Sequence, residues 1–561
     1  MVRGSTGVQG IMTMRIIMAA MLLAGCAHTA ERAARAPAID VAALKAMTET
    51  LASDAFEGRA PMTPAEDKTV AFIADKFAEA GLKPGHNGGW FQDVPLVEQT
   101  VDAARADTEF AKDGRPVLTA KYGADMVVWS KRVSETIIVK HAPVVFVGYG
   151  INAPERGWND YAGIDMRGKV ALILINDPDW QTSTLEGPFG GRAMTYYGRW
   201  TYKYEEAARQ GAAGAIVIHD TEPAAYGWRT VETSWTGPQL DLDRGAEGEA
   251  RVAVEGWVQK PVATAVLAAA GLNLAVLMEK AKTKEFRAVE TGVSMSTELN
   301  NSIRKESSRN VVGILPGRTR PADYVIHTAH WDHLGRCGAD ANGDDICNGA
   351  LDNATGTAGL VALAKAHAAA GPAERSLLFV AVTGEESGLL GSDHYAANPS
   401  VPLARTVGGF NLDGLNIIGP TSDIIVVGAG KSELEDYLKA DAAAHGKRIE
   451  RETTPEKGFY YRSDHFSLAK RGVPMLAAGS GVDVIGKGRA WGQAQADDYT
   501  DKRYHQQDDE FDPTWNWDGA VEELAMTWRL ARGLADGNDW PNWYLGDEFR
   551  AIRDASRAAA K

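Results

Sequence analysis

The 561-residue sequence predicts an α/β fold with a mixed, mainly parallel central sheet flanked by helices. Three apolar runs carry that expectation, because each reads as a buried strand and each ends in acids or histidines. YVIHTAHWDHLG runs from Tyr324 into His330 and Asp332, RSLLFVAVTGEESGLLGS runs into Glu385 and Glu386, and TVGGFNLDGLN ends in Asp413. Open α/β sheets bind their ligands at the carboxyl ends of the strands, which is where these residues fall. Between the first two runs lie NGALDNATG, with Asp352, and an Ala-rich helix, GTAGLVALAKAHAAA. One more histidine, His505, comes far downstream in YHQQDDEFD.

A hydrolytic zinc site needs neutral imidazoles and carboxylates as ligands and an open position for water. Two metals roughly 3.5–4 Å apart can hold a nucleophile and polarise a carbonyl. Such a site requires one bridging carboxylate, further ligands for each metal, and a free carboxylate to take the proton. His330, Asp352, Glu386, Asp413 and His505 supply five ligands, which leaves Glu385 as the base. Asp332, two residues beyond His330, is placed to accept its ring N–H. Alone, an HxD or a Glu-Glu pair more often marks a solvated turn. Here the pieces fall at consecutive strand ends, in an order that one site can use.

With these motifs in view, the chain resembles metallopeptidase family twenty-eight, the co-catalytic zinc aminopeptidases whose relatives include glutamate carboxypeptidase. The resemblance rests on AHWDHLG, NGALDNATG, TGEESGLLGS, NLDGLN, YYRSDHFSLAKRGVP and YHQQDD, between about Thr328 and Asp509. It implies a zinc exopeptidase fold with two Zn2+ per chain. Asp352 would bridge them, with His330 and Asp413 on one and Glu386 and His505 on the other. It also implies a non-proline cis peptide after Asp352 and, by motif alignment, an oxyanion donor at Tyr460. Asp464 and His465 then read as supporting or pocket residues.

At this length two domains are expected, and 45% hydrophobic with 24% charged residues is a globular composition able to bury a large core. A net charge of −15 argues against nucleic acid or an acidic membrane as the main partner. Residues 1–26 read as a signal peptide. Leu23-Ala24-Gly25-Cys26 resembles a bacterial lipoprotein box, with Cys26 as the lipidated residue; a plain signal peptide or a membrane anchor is the alternative. The expectation is therefore an exported lipoprotein anchored to a membrane through Cys26 and facing the periplasm or the cell surface. In that oxidising setting Cys337 and Cys347 either pair or stay as free thiols. The DANGDD segment between them has the wrong spacing for a calcium loop and reads as an acidic turn.

Along the chain, 38–121 reads as the first part of a catalytic domain, opening with two helices joined by EGRAPMTP. The turn Gly58-Arg59 either approaches the catalytic sheet, as in the resembled family, or is a surface turn. Residues 122–293 change texture to short β-rich runs without ligand-type clusters. They resemble a protease-associated domain inserted in the catalytic one. Its aromatic stretch from Tyr196 to Tyr204 is either a lid over the cleft or internal packing. The catalytic domain resumes over 294–561, entered by TELNNSIRKESSRNVVGILPG, read as a strand pair. Its tail contributes an amphipathic helix and a Trp-rich cap.

Functionally, the resemblance implies an aminopeptidase acting on peptides. The alternatives are a carboxypeptidase or dipeptidase of the glutamate carboxypeptidase type, a ligand-depleted transferrin-receptor-like binding protein, and a one-zinc glutaminyl cyclase. The carboxypeptidase or dipeptidase reading needs a basic pocket for the substrate carboxylate, and in the sequence Arg462 and Arg471 stand isolated. Side-chain preference and oligomeric state are not legible.

Overall fold

A computed structural model describes Met1 and residues 38–245 and 250–559. Cys26 and the rest of the signal segment lie outside the described residues. The helices Val41–Leu51 and Pro64–Glu79 open the fold. The second has Pro at its start and Glu66 and Asp67 in its first turn, which suits the helix dipole. It buries Val70, Ile73, Ala74 and Phe77 along one stripe against the sheet.

The sheet that carries the metal-type residues has four parallel strands in the order Met475–Leu476, Thr406–Asn411, Arg320–His330, Arg375–Val382. Every residue of Arg375–Val382 is buried, as expected of a parallel strand covered on both faces. The helices Gly356–Ala369 and Leu390–Ala397 make the crossovers that parallel pairing requires. The amphipathic helix Asp518–Asp536 buries Leu524, Trp528, Leu530 and Leu534 on that core. Trp543 and Phe549 of the tail close over Tyr460, Tyr461 and Phe466.

The expected strand pair before the first metal strand is instead one strand, Val289–Leu315, which runs through both halves of the molecule. Its polar middle reads as a turn, yet it pairs along its length with Phe91–Val101 and keeps its polar side chains exposed. Its end pairs antiparallel with Arg375–Val382, and its beginning joins a second sheet through Thr136–Phe146 and Thr108–Lys112. This second sheet continues through Val170–Leu174, Gly214–His219, Val254–Gln259 and Met126–Trp129 around a separate core, which draws on residues from Val101 to Leu299. The strands Thr108–Lys112 and Arg115–Ala120 therefore pack with this second core, although they precede the boundary expected at 122. The hairpin buries Phe110 and Ala120 in that core, but a short hairpin carries no sequence signal for which of two sheets it joins.

The second core is fastened to the loop that precedes the helix His465–Ala469. Met194 N–H donates to Pro455 O (3.1 Å), and Arg192 pairs with Glu456 (3.0 Å). Tyr196 packs on Phe466 (ring centroids 5.0 Å apart) and Tyr461 (6.1 Å), while its hydroxyl donates to Glu205, which also meets Lys470 (3.3 Å). Much of the aromatic stretch from Tyr196 to Tyr204 is thus spent on packing.

Candidate metal centre

The parallel register brings the strand ends together: His330 stands opposite Val382, and Thr328 opposite Asn411. His330 thus ends its strand beside the turn that carries Glu385 and Glu386 and the turn that carries Asp413. Asp352 enters from an irregular turn, Ala350–Thr355, just before its helix, and the Asp352–Asn353 peptide is cis.

Asn353 ties this turn to the next one. Its side chain donates to Leu412 O (2.9 Å) and accepts from Gly414 N (2.9 Å), the residues on either side of Asp413. Asp509, four residues past His505, accepts the N–H groups of Leu351 and Asp352 (3.0 Å each). Three segments that carry candidate ligands are therefore joined by hydrogen bonds before any ion is considered.

Candidate ligand atoms gather around both carboxylate oxygens of Asp352. His330 Nε2 lies 3.2 Å from Asp352 Oδ1 and 3.1 Å from Asp413 Oδ1. On the other oxygen, His505 Nε2 lies 3.4 Å from Asp352 Oδ2 and 3.1 Å from Glu386 Oε2. Zinc–ligand bonds of about 2.0–2.2 Å put neighbouring ligand atoms of a tetrahedral centre roughly 3.3–3.5 Å apart, close to these spacings. His330, Asp352 and Glu386 also form a set whose ligand atoms all lie within 4.8 Å of one another. His505 Nε2, close as it is to two carboxylates, has no hydrogen-bond partner among the described residues. The donor set fits divalent metal.

His330 Nδ1–H donates to the main-chain carbonyl of Asp332 (3.1 Å), which leaves Nε2 as the lone-pair nitrogen. The Asp332 carboxylate, expected to take that proton, is 3.9 Å away and instead accepts the Glu385 N–H (3.2 Å). It thereby positions the turn of the candidate base. The two acids of that turn diverge. Glu386 faces His505 and, through Oε1, His333 Nδ1 (2.6 Å). Burial pushes Glu385 well above the usual carboxylate range, and the neighbouring acids add to the effect.

Burial also pushes Asp332 and Asp464 up to about 7. His505, which burial would lower, is raised to about 10 by Glu386 and Asp352. A centre with this excess of buried carboxylates over cationic groups is one that divalent cations would neutralise.

Two further buried residues support the site without a clear signal in the sequence motifs. His333 is buried against Glu386, and nothing in HWDH distinguishes it from an ordinary core histidine. Arg59 is 1% exposed and reaches the backbone carbonyls of Leu51 (2.6 Å), Trp331 (2.9 Å), Asn348 (2.6 Å) and Gly349 (2.7 Å). It clamps the segment after His330 to the one before Asp352. Gly58 must be glycine: it has φ +66°, and a Cβ there would lie 2.4 Å from Cys347 O. Cys347 is bonded to Cys337.

Tyr460 is buried among Tyr461, His465 and Lys431, and its hydroxyl has no partner among the described residues. Apart from burial, the groups that act most on its pKa are Lys431, Asp547, Tyr461 and Glu548, none of them in the metal set. The phenol ring beside the candidate ligands is that of Tyr504, stacked on His505 at 3.9 Å.

Residues 310–529 match the model of peptidase family M28. Aminopeptidase YwaD of Bacillus subtilis strain 168 is 34% identical over 110 residues, 19% of this chain and 22% of that protein. The alignment thus spans about a fifth of the curated relative. Among solved structures, an aminopeptidase from Aneurinibacillus sp. strain AM-1 is 20% identical, with a TM-score of 0.47, covering 89% of this chain and 94% of that one. A zinc aminopeptidase from Bacillus subtilis, BSAP, is 17% identical, with a TM-score of 0.38, over 90% and 96% of the two chains.

Proposed function

We propose that this chain, which belongs to peptidase family M28, is an exported aminopeptidase that uses two zinc ions to remove residues from the amino end of peptides. The observation that carries the reading is the placement of Asp352, one carboxylate oxygen beside His330, which also meets Asp413, and the other beside His505, which also meets Glu386.

Bound there, two zinc ions would lower the pKa of the attacking water and polarise the scissile carbonyl. The residues of the chain do the rest. Glu385, whose carboxyl is proton-hungry in its buried setting, takes the proton from the attacking water and hands it to the leaving amine. Asp332 holds the Glu385 main chain, and Arg59, Asn353 and Asp509 hold the ligand turns. Tyr504, partly exposed and stacked on the candidate ligand His505, borders the site, whereas Tyr460 is buried among groups outside it, so Tyr504 is the better candidate to donate to a developing oxyanion.

The Cys337–Cys347 bond supports an oxidising compartment, and with it export and anchoring at Cys26. The second core is read as a protease-associated domain that walls the substrate cleft through its contacts with 455–470.

Zinc-loaded protein assayed on a panel of free peptides and their amino-acetylated counterparts tests this reading. Release of amino-terminal residues from free peptides alone is expected. Equal cleavage of both, or release only from the carboxyl end, overturns it.

A further inference from the structure

The turn that carries Glu385 and Glu386 is pinned from a neighbouring strand by one buried side chain. Asn310, near the end of the strand Val289–Leu315, is wholly buried and lies 73 positions before Thr383 and 81 before Gly391. Its Oδ1 accepts the Thr383 N–H (3.0 Å), and its Nδ2 donates to Gly391 O (2.9 Å). Those two residues open and close the turn, since the Gly391 N–H also donates to Thr383 O (2.8 Å). A single carboxamide therefore bridges both ends of the segment, with Glu385 two residues inside it and Glu386 next.

The contact is built on all sides. The second Nδ2 proton goes to Gln92 Oε1 (3.0 Å), and Gln92, opposite Asn310 in the strand register, donates in turn to Asn398 O (2.6 Å) just past the helix Leu390–Ala397. This chain of amides fixes the way the Asn310 carboxamide faces. A flip would set its oxygen against Gly391 O and Gln92 Oε1, and its NH2 against the Thr383 N–H. Gly391 leaves the room for it, because a Cβ there would lie 2.5 Å from Asn310 Oδ1. Ser308, two residues earlier and so on the same face of the strand, meets Thr383 hydroxyl to hydroxyl at 2.6 Å, both side chains buried.

The sheet pairing of this strand runs through its main chain. The Asn310 side chain adds a tie to the segment beyond the neighbouring strand's end at Val382. Without it, the Thr383 N–H and the Gly391 carbonyl each lose a buried partner. Unpaired buried groups are costly, so the turn would shift to find other partners, and its two acids would shift with it. A displacement of about 1 Å costs about 10²-fold in rate.

We propose that Asn310, assisted by Ser308, is a positioning residue that sets the reach of both Glu385 and Glu386. This rests on the peptidase reading above, which gives those two acids their tasks.

The test compares Asn310→Ala and Ser308→Ala with Gln99→Ala, which removes another buried amide, one bonded to Ser130 O (3.0 Å) and not to the turn. For each full-length protein, kcat and KM on free di- and tripeptides of leucine and alanine are measured beside zinc affinity by chelator competition and urea unfolding. In zinc-saturated Asn310→Ala, kcat is expected to fall about 10–100-fold with KM changed less than about threefold, and zinc binding to weaken about 10-fold or more. Ser308→Ala should lower kcat about 3–10-fold. Gln99→Ala should lose stability with kcat within about twofold of the wild type. A merely structural amide lowers only the unfolding free energy, so an Asn310→Ala variant whose kcat and zinc affinity match those of Gln99→Ala overturns the proposal. If Asn310→Ala does not fold, Ser308→Ala decides, and unchanged kcat and zinc affinity there overturn it. A wild type that cleaves no free peptide overturns the peptidase reading instead, and the zinc comparison then decides the role of Asn310.

Discussion

Replacing Arg59 by methionine keeps most of the side-chain volume and removes only the donors. Four buried carbonyls then lose their partner, those of Leu51, Trp331, Asn348 and Gly349. Hydrogen bonds to a charged group contribute about 1.5–3 kcal/mol each. Part of that sum is offset, because the guanidinium is costly to bury: burial has lowered its pKa to about 10 despite Asp509, Asp332, Asp352 and Glu386 nearby. A net loss of about 3–5 kcal/mol is expected, the range for breaking a buried charged network. The variant should also bind zinc about 10–100-fold more weakly, since Arg59 fixes the backbone next to both His330 and Asp352. Urea unfolding of the metal-free protein and competition with a chromophoric chelator measure the two effects separately. Unchanged unfolding free energy together with unchanged zinc affinity would refute the clamp. Lost stability with full zinc affinity would show that Arg59 serves the fold and not the site.

Glu385→Gln should lower kcat by about 10²–10⁴-fold with metal content retained, whereas Glu386→Gln should weaken metal binding and recover in part with added zinc; the reverse pattern by elemental analysis and kinetics would exchange their roles. His327, stacked on Phe379 at 4.7 Å, is lowered to about 4 by burial. Its folded pKa lies below the unfolded value near 6.5, so its contribution is whole above that pH and fades as the pH falls toward 4. Between pH 6.5 and 4.5 the metal-free wild type should lose about 2 kcal/mol more than His327→Phe; parallel pH curves in urea unfolding would rule this out. Cys337 and Cys347 should resist alkylation until reduced, and their joint replacement by alanine should cost about 2–3 kcal/mol. Ready labelling of the native protein would contradict the bond seen between them.

The candidate ligands were legible because each belongs to a local pattern, an apolar strand followed by a polar turn, and parallel strands deliver such turns to one edge. What was not legible depends on pairs distant in the chain. Arg59 meets Asn348 and Gly349 across 289 and 290 positions, so its turn could equally have been a surface feature. The spacing of His330 and Asp332 places them together, but it cannot tell a carbonyl acceptor from a carboxylate one. The polar middle of Val289–Leu315 reads as a break because pairing with Phe91–Val101, which makes it a strand, leaves no periodic apolar face there.

The central claim is that Asp352 joins two metal sites, and zinc counting on the intact chain tests it most directly. Protein saturated with zinc and freed of excess should hold two ions per chain by elemental analysis, and Asp352→Ala should lose both, because each oxygen of that carboxylate belongs to a different ligand set. One zinc per chain at saturation, or an Asp352→Ala variant that still holds two, would contradict it.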